Sequence, residues 1–270
     1  MDQPSNAFAS TLKIILLVFA MICIILWPGK EKPGQLAMIF GPRPSLTPTL
    51  TATSTATATI TITITPTPTV TLTPEPTATK RSTPTPPPML IGAGDIAYCG
   101  EEHQDDDATA KVIQRYPDAA VFTAGDNQQD DGGWGKYDDC YGPSWGVFKS
   151  RTRPSMGNHD NNTEAGAPFY AYFGAAAGEP GKGYYSYDLG AWHIVALNSN
   201  CPDGSCGPGS AQEKWLREDL AASQARCTLL YWHFPRWTSG PHSDSEAVAG
   251  LWNAAFDAGA EIVVNGHNHQ

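Results

Sequence analysis

The sequence of residues 89–270 predicts a layered domain of the α/β or α+β class, and three observations support this prediction. Apolar runs with the length of strands alternate with segments that have helical spacing. Short turns rich in glycine, aspartate and histidine follow several of these runs. The chain before residue 89 has a composition unlike that of a folded core. Polar side chains are therefore expected to gather at the carboxyl ends of the strands, where sites lie in such sheets.

The predicted elements follow one another in a regular order. Strands are expected at residues 89–95, 119–126, 184–189, 192–198, 227–232 and 261–265. Helices are expected at residues 106–116, 210–223 and 245–258. Gly190 and Ala191 separate the third and fourth strands, which predicts a hairpin there.

The chain divides into three parts by composition. An apolar run occupies residues 14–27, and a tract dominated by threonine and proline extends from about residue 42 to 88. That tract has almost no aromatic side chains to bury, so it cannot offset the entropy lost on ordering. We therefore expect a signal peptide or signal anchor in residues 1–30, a disordered linker in residues 31–88 and one globular domain in residues 89–270.

The apolar run is short for a membrane span. At about 1.5 Å per residue, it covers about two-thirds of a hydrocarbon core about 30 Å thick. This length favours a signal peptide, although Lys13 could snorkel and lengthen the run into a signal anchor. We expect an exported protein, extracellular or at the cell surface, that contacts a membrane only through its N-terminal segment.

The acidic charge limits the classes of partner. A formal net charge of −10 excludes nucleic acid as a generic ligand, because that contact needs clustered lysine and arginine. Chemistry on a phosphate ester stays compatible with this charge if bound cations invert the local field. The sequence does not indicate an oligomeric state.

The six cysteines indicate disulfides rather than a zinc ribbon. Cys201 and Cys206 enclose a short loop, a spacing that suits a local disulfide, and no CxxC pair occurs. Export would allow such bridges. Five cysteines lie in the globular part, so this count leaves at least one unpaired or bonded elsewhere.

Several polar segments carry side chains that can bind metals. They are Gly94-Asp95, Gly125-Asp126-Asn127, Gly157-Asn158-His159-Asp160, Gly266-His267-Asn268-His269 and the single residue His233. Glycine allows tight turns beside these side chains, and the mixture of donors suits Zn, Mn, Fe or Co better than calcium. The two histidines of the last segment alternate, so in a regular strand both would point to one face. Each segment alone is a weak signal: a lone Gly-Asp is usually a turn, Asn158-His159 could cap a helix, and the last pair by itself favours a polar tail.

The order of these segments along the chain resembles the order of the conserved motifs in the calcineurin-like metallophosphoesterase superfamily. More narrowly, it resembles the purple-acid-phosphatase-like bacterial branch of that superfamily. Residues 184–200 and 231–240 fit that branch closely, and the resemblance covers residues 90–270. It implies a metallophosphoesterase-like β-sandwich flanked by helices. It also implies an acid-phosphatase-like enzyme that hydrolyses small phosphate esters with two divalent or trivalent metal ions (Fe, Zn or Mn) and a metal-activated water.

The resemblance also assigns roles to individual residues. The implied metal ligands are Asp95, Asp126, Asn158, His233, His267 and His269. Asp126 is expected to bridge the two ions, with Asp95 and His269 on the first and the other three ligands on the second.

The resemblance implies three catalytic side chains. His159 is expected over the substrate phosphate, where it would stabilise charge or protonate the leaving group, and Asp160 is expected to orient its ring. His242, in a Ser-Gly-Pro-His loop, is a weaker candidate for substrate contact; as an ordinary loop histidine it would have no role.

Three departures from the family pattern qualify these roles. Gln129 stands where purple acid phosphatases have tyrosine, so a ferric–tyrosinate bond and its colour are not expected. Ala97 replaces a histidine common outside that branch. Family members continue beyond the equivalent of Gln270, so we expect the sandwich to lack its C-terminal strands. A phosphodiesterase or nucleotidase remains an alternative, as does a surface-presented, non-catalytic binding module with a decayed or truncated site.

Overall fold

The residues described by the computed structural model, 87–100 and 105–269, contain seven strands in two sheets. The first sheet is parallel, with the order β1 (Leu90–Ala93), β2 (Ala120–Ala124) and β3 (Thr152–Ser155). The second has the order β4 (Tyr185–Leu189), β5 (Trp192–Ala196), β6 (Cys227–Trp232) and β7 (Ile262–Asn265). Only β4 is antiparallel to its neighbour.

Helices cover the outer faces of both sheets. The α-helices are α1 (Asp105–Ile113), α2 (Asn158–Asn162), α3 (Ala167–Phe173), α4 (Ala211–Ala222) and α5 (Ala249–Asp257). A π-helical turn spans Tyr137–Tyr141, and 3-10 segments span Trp145–Arg151, Glu164–Gly166, Gly174–Ala177, Pro202–Gly204 and Glu246–Val248. Ser210 begins α4 by accepting a hydrogen bond from the backbone N–H of Glu213, which satisfies one free donor at the helix start.

The core consists of three apolar layers. Phe122 and Tyr231 meet between the two sheets, with ring centroids 5.1 Å apart. Trp145 is buried in the layer outside the first sheet, where α1 and α3 pack. Leu216 of α4 and Leu251 of α5 are buried outside the second sheet. The predicted layered domain, a β-sandwich flanked by helices, is therefore confirmed.

Strands that are buried on both faces were the easiest to predict. Every residue of β5 and β6 is buried, which produces the continuous apolar runs typical of parallel strands covered by helices. In contrast, β3 (TRPS) was not predicted, because four residues that include Arg153 and Pro154 carry no strand pattern. Proline is tolerated there because β3 lies at the edge of its sheet.

Two disulfides bridge loops in the described part of the chain. The predicted Cys201–Cys206 bridge is confirmed. A second bridge joins Cys99, in the loop after β1, to Cys140 in the π-helical turn, a pairing that the sequence had left open.

A buried histidine connects α4 to the β4–β5 hairpin. His193 Nδ1 lies 2.9 Å from Oδ1 of Asp188, and its Nε2 lies 2.8 Å from Oδ2 of Asp219 in α4. Burial lowers the pKa of His193, but the hydrogen bonds to the two carboxylates outweigh it and leave the pKa raised. The protonated imidazole therefore stabilises the contact between helix and hairpin.

The predicted N-terminal segment, residues 1–30, lies outside the described residues, as does the predicted linker up to residue 86. Among residues 87–100 and 105–269, no helix has the length and apolar character needed to cross a membrane.

Candidate metal centre

The six predicted ligands all follow the carboxyl ends of parallel strands. They are Asp95 after β1, Asp126 after β2, Asn158 after β3, His233 after β6, and His267 and His269 after β7. Parallel strands place their carboxyl ends on one edge of a sheet. Stacking the two sheets brings these two edges together, so ligands from distant parts of the sequence become neighbours.

Four of these residues converge around the ring nitrogen Nε2 of His233. This atom lies 3.1 Å from Oδ2 of Asp126 and 3.0 Å from Oδ1 of Asn158. It lies 3.2 Å from Nδ1 of His267. The side chains of His233 and Asp126 are 0% and 1% exposed, so water does not screen this cluster.

The backbone determines which nitrogen of His233 faces the cluster. Its Nδ1 lies 2.9 Å from the carbonyl oxygen of Ala124, so the ring donates that proton to the backbone. In the neutral ring, Nε2 then presents a lone pair to the oxygens of Asp126 and Asn158, which present lone pairs as well. Such a buried arrangement is unfavourable without a positive charge at its centre. A cation fits this position.

The pKa values reflect the same need for positive charge. Burial lowers the pKa of His233, but the hydrogen bond to Asp126 and the charge of that carboxylate raise it to about 9. Burial and the charges of His233 and His242 lower the pKa of His267 to about 4. A proton is therefore held on His233, in the position where the geometry fits a cation.

A second group of donors contains Asp95 and His269. Asp95 Oδ2 accepts a hydrogen bond of 2.9 Å from the backbone N–H of His267. Its Oδ1 is buried with no hydrogen-bond partner among the described residues and lies 3.4 Å from Nε2 of His269. This contact with the carboxylate raises the pKa of His269. A buried carboxylate oxygen without a donor is typical of a site for an ion or water, so this group also fits a cation.

Three of the predicted ligands have an unusual backbone conformation. Asp95, Asp126 and His267 have φ of 57°, 49° and 71°, in the left-handed region. For residues other than glycine, each such conformation costs about 1–3 kcal/mol and is characteristic of functional sites.

This conformation corrects one step of the sequence argument. β7 ends at Asn265, so His267 and His269 do not alternate along a strand. They reach the cluster from a turn instead, and the left-handed backbone of His267 sets the direction of its ring.

Gly157 allows two ligand loops to touch. A Cβ atom at this position would lie 2.0 Å from Oδ1 of Asp126 and 2.2 Å from its backbone nitrogen. The same Oδ1 accepts a hydrogen bond of 2.9 Å from the backbone N–H of His159. The absence of a side chain at Gly157 therefore permits the close approach of the loops that carry Asp126 and Asn158.

His159 lies at the opening of the cluster, and its side chain is 38% exposed. Its Nε2 lies 3.8 Å from Oδ2 of Asp126. Its Nδ1 lies 2.7 Å from the carbonyl oxygen of Asp130, which accepts the Nδ1 proton. The ring is thus held with Nε2 toward the cluster, as a residue acting on a bound phosphate requires.

The role expected for Asp160 was wrong. Its buried carboxylate makes no hydrogen bond to the His159 ring among the described residues. It accepts hydrogen bonds from the backbone of Asn127 and Gly157 and from the hydroxyl of Tyr137, at 2.6–3.1 Å. Asp160 therefore joins the loop after β2 to the loop after β3, and the Asp130 carbonyl orients His159 instead.

Sequence reasoning missed the residues that support this arrangement. Gln128 is fully buried, and its Oε1 accepts hydrogen bonds from the backbone of Asp130 and Gly132. Tyr137 belongs to an unpredicted π-helical turn. Neither residue belongs to one of the Gly-Asp or Gly-Asn-His segments, so no sequence signal singled them out.

The loop histidine His242 does reach the site. Its ring centroid lies 4.3 Å from that of His267, and its backbone N–H donates a hydrogen bond of 3.0 Å to Oδ1 of Asn268. The structure thus brings all nine predicted site residues to one region at the carboxyl ends of the strands.

Comparisons with known proteins agree with this fold. A solved purple acid phosphatase, PPD1 from yellow lupin (Lupinus luteus) seeds, has a TM-score of 0.52 and 17% identity over 66% of this chain. GAP50, described as the anchor in the inner membrane complex of Plasmodium, has a TM-score of 0.49 and 14% identity over 66% of this chain. This chain spans 37% of the lupin protein and 65% of GAP50. At 17% identity, the likeness to the lupin protein concerns the fold alone. No curated protein sequence matches significantly.

A family model provides the decisive match. The model of the calcineurin-like phosphoesterases aligns with residues 91–270, which contain all the strands from β2 onward, most of β1 and every predicted site residue. The chain therefore belongs to the calcineurin-like phosphoesterase family.

Proposed function

We propose that this protein hydrolyses small phosphate monoesters with two metal ions bound in the cluster. One observation carries the proposal: potential ligand atoms of Asp126, Asn158 and His267 lie 3.0–3.2 Å from the buried His233 Nε2. The carboxylate and amide oxygens cannot donate hydrogen bonds, so a cation or a proton is needed to bring them this close to the lone pair of His233 Nε2. The family model supports chemistry on phosphate esters.

The ligands are proposed to divide as the resemblance implied. Asp95 and His269 hold the first ion, and Asn158, His233 and His267 hold the second, with Asp126 shared. The set of carboxylate, amide oxygen and imidazole donors suits Fe, Zn or Mn. When bound, a pair of such ions polarises phosphoryl oxygens and lowers the pKa of water toward neutrality.

Three groups of the protein are proposed to position the substrate and to supply a proton to its leaving oxygen. His159 presents Nε2 at the opening of the cluster, where in its protonated form it stabilises negative charge or donates a proton to the leaving oxygen. The Asp130 carbonyl keeps the Nδ1 proton in place. His242, next to the His267 ring, contacts the ester group from the opposite loop.

The test uses the full chain after reconstitution with Mn²⁺, Zn²⁺ or Fe²⁺. Metal content is measured together with hydrolysis of p-nitrophenyl phosphate and of bis(p-nitrophenyl) phosphate. Asp126→Asn and His267→Ala should each abolish hydrolysis, while Asp107→Asn, an exposed carboxylate on α1, should leave it unchanged. Wild-type activity that survives in either site variant would refute the proposed ligand set.

The same assay separates the alternatives. Faster turnover of the diester than of the monoester would replace the monoesterase with a phosphodiesterase. A folded protein that binds no metal and hydrolyses neither compound would indicate a non-catalytic binding module.

We also propose that the protein is exported. The two disulfides support this proposal, because such bridges persist in oxidising compartments and are rare in the cytosol. Cell fractionation with an epitope-tagged full chain tests it. Recovery of the tag outside the cell or on its surface is the expected result, and a reduced protein confined to the cytosol would contradict it.

A further inference from the structure

The segment of residues 198–200, here named the brace loop, adjoins the segments that carry Asn158 and His233 and contains no predicted ligand. It follows β5 and contacts two of the segments that carry ligands of the second ion, those of Asn158 and His233. Its contacts are hydrogen bonds between side chains and backbone, which fix direction as well as distance. This placement is suited to holding ligands in position from outside the cluster.

Asn200 connects the brace loop to the turn before Asn158. Its side-chain Nδ2 lies 3.1 Å from the carbonyl oxygen of Gly157 and 3.3 Å from that of Met156. Its backbone N–H donates to Oδ1 of Asn198, which steadies the residue within its own loop. Because Gly157 directly precedes Asn158, these bonds set the path of the backbone into that ligand.

Ser199 connects the brace loop to the residue after His233. Its hydroxyl is buried and accepts a hydrogen bond of 2.9 Å from the backbone N–H of Phe234. Together with the bond from the His233 ring to the Ala124 carbonyl, it restrains this ligand from the backbone and from the ring. Loss of this acceptor would leave the Phe234 N–H without its partner and allow the turn after His233 to shift.

The helix α4 holds the brace loop from behind. The side chain of Gln212 accepts a hydrogen bond of 2.9 Å from the backbone N–H of Asn198 and donates one of 2.8 Å to its carbonyl. This buried amide therefore pairs with both polar backbone groups of one residue. The Cys201–Cys206 disulfide closes the chain directly after the loop. The loop is thus tied to rigid elements on the side away from the cluster.

From these contacts we propose that the brace loop sets the metal affinity of the second site, with Asn200 as positioning residue for Asn158 and Ser199 as positioning residue for His233. The inference rests on the proposed function, since it requires those two side chains to be ligands. The physical reason is that a ligand must be held close to its binding direction before the ion arrives, and groups outside the coordination sphere supply that restraint.

The experiment measures Co²⁺ binding to the full chain by calorimetry and by visible absorption, which reports the geometry around the ion. Asn200→Ala and Ser199→Ala should each weaken binding at one of two sites by about 10- to 100-fold and change the absorption spectrum. Asn253→Ala, which removes an exposed amide on α5, is the matched control and should bind like the wild type. Asn200→Leu keeps the branched shape of the side chain without its hydrogen-bond donors and should behave like Asn200→Ala.

A double-mutant cycle separates positioning from a general loss of structure. Asn158→Ala removes the ligand that Asn200 is proposed to position, so adding Asn200→Ala should then weaken Co²⁺ binding no further. If Asn200 only stabilised the fold, the two losses would multiply. Thermal unfolding by circular dichroism accompanies each variant, and Asn200→Leu decides the result if Asn200→Ala does not fold.

The outcomes distinguish this inference from the proposed function. Two Co²⁺ ions on the wild type, a weakened site in the Asn200 and Ser199 variants, and no further loss in the double variant would support it. Binding by Asn200→Leu and Ser199→Ala within twofold of the wild type would overturn it and leave the proposed function intact. A wild type that binds no Co²⁺ would overturn both.

Discussion

Replacing Gly157 with alanine is the most direct test of how the two ligand loops meet. The new methyl carbon would lie 2.0 Å from Oδ1 of Asp126 and 2.2 Å from its backbone nitrogen. Non-bonded heavy atoms need about 3.5 Å, so the loops must separate by more than about 1 Å. The affected atoms belong to a buried residue with a left-handed backbone, so rotation of a flexible side chain cannot relieve the clash.

This displacement sets the expected loss of activity. A shift of about 1 Å in a catalytic group reduces the rate about 100-fold, which corresponds to about 3 kcal/mol of transition-state stabilisation. The substitution moves Asp126 away from His233 and also moves Asn158, the next residue in the chain. We therefore expect Gly157→Ala to lower kcat/KM by at least about 100-fold.

The assay is hydrolysis of p-nitrophenyl phosphate at saturating Mn²⁺, with unfolding by urea measured on the same samples. Gly207→Ala is the matched control, since the nearest atom to its new Cβ would be the Gly204 carbonyl oxygen at 3.2 Å. A folded Gly157→Ala protein with kcat/KM within threefold of the wild type would refute the close approach of the two loops as a requirement for activity.

Three further predictions concern stability and pH. A disulfide stabilises a protein by lowering the entropy of the unfolded chain, and more so for a longer loop. Removing the Cys99–Cys140 bridge, with a sequence separation of 41, should therefore lower the unfolding free energy measured in urea by about 4 kcal/mol, and removing Cys201–Cys206, with a separation of 5, by about 2 kcal/mol. Equal losses would contradict this argument. The raised pKa of His193 means that its charged form stabilises the fold below its unfolded pKa of 6.5, a contribution lost as pH rises through the folded value. His193→Gln should remove that pH dependence from urea denaturation, and an unchanged profile would exclude the ion pairs as its source. Because the pKa of His233 is about 9, a cation that binds this ring at neutral pH must displace its proton. The Mn²⁺ affinity measured by calorimetry should therefore rise about tenfold for each pH unit between about pH 6 and 8. An affinity that does not change with pH would contradict ligation by this ring.

Local sequence patterns predicted those helices and strands that are determined mainly by their own residues. The continuous apolar runs of β5 and β6 predicted strands because both faces of these strands are buried. The edge strand β3 and the short helices α2 and α3 escaped prediction, because their four to seven residues depend on neighbours for stability. β3 forms because it pairs with β2, and α3 forms because it packs against the first sheet; both contacts involve residues far away in the sequence.

The candidate site shows the same division. The sequence by itself determined the kinds of metal-binding side chain and their order along the chain. Each Gly-Asp, Gly-Asp-Asn or Gly-Asn-His-Asp segment consists of adjacent residues and can therefore be recognised locally. The tertiary structure alone decided the partner of each donor. Asp160 meets Tyr137, 23 residues away, and the His159 ring meets the Asp130 carbonyl, 29 residues away. These contacts form because β2 and β3 are parallel neighbours in one sheet, so the segments that follow them meet at the same carboxyl edge although they are far apart along the chain.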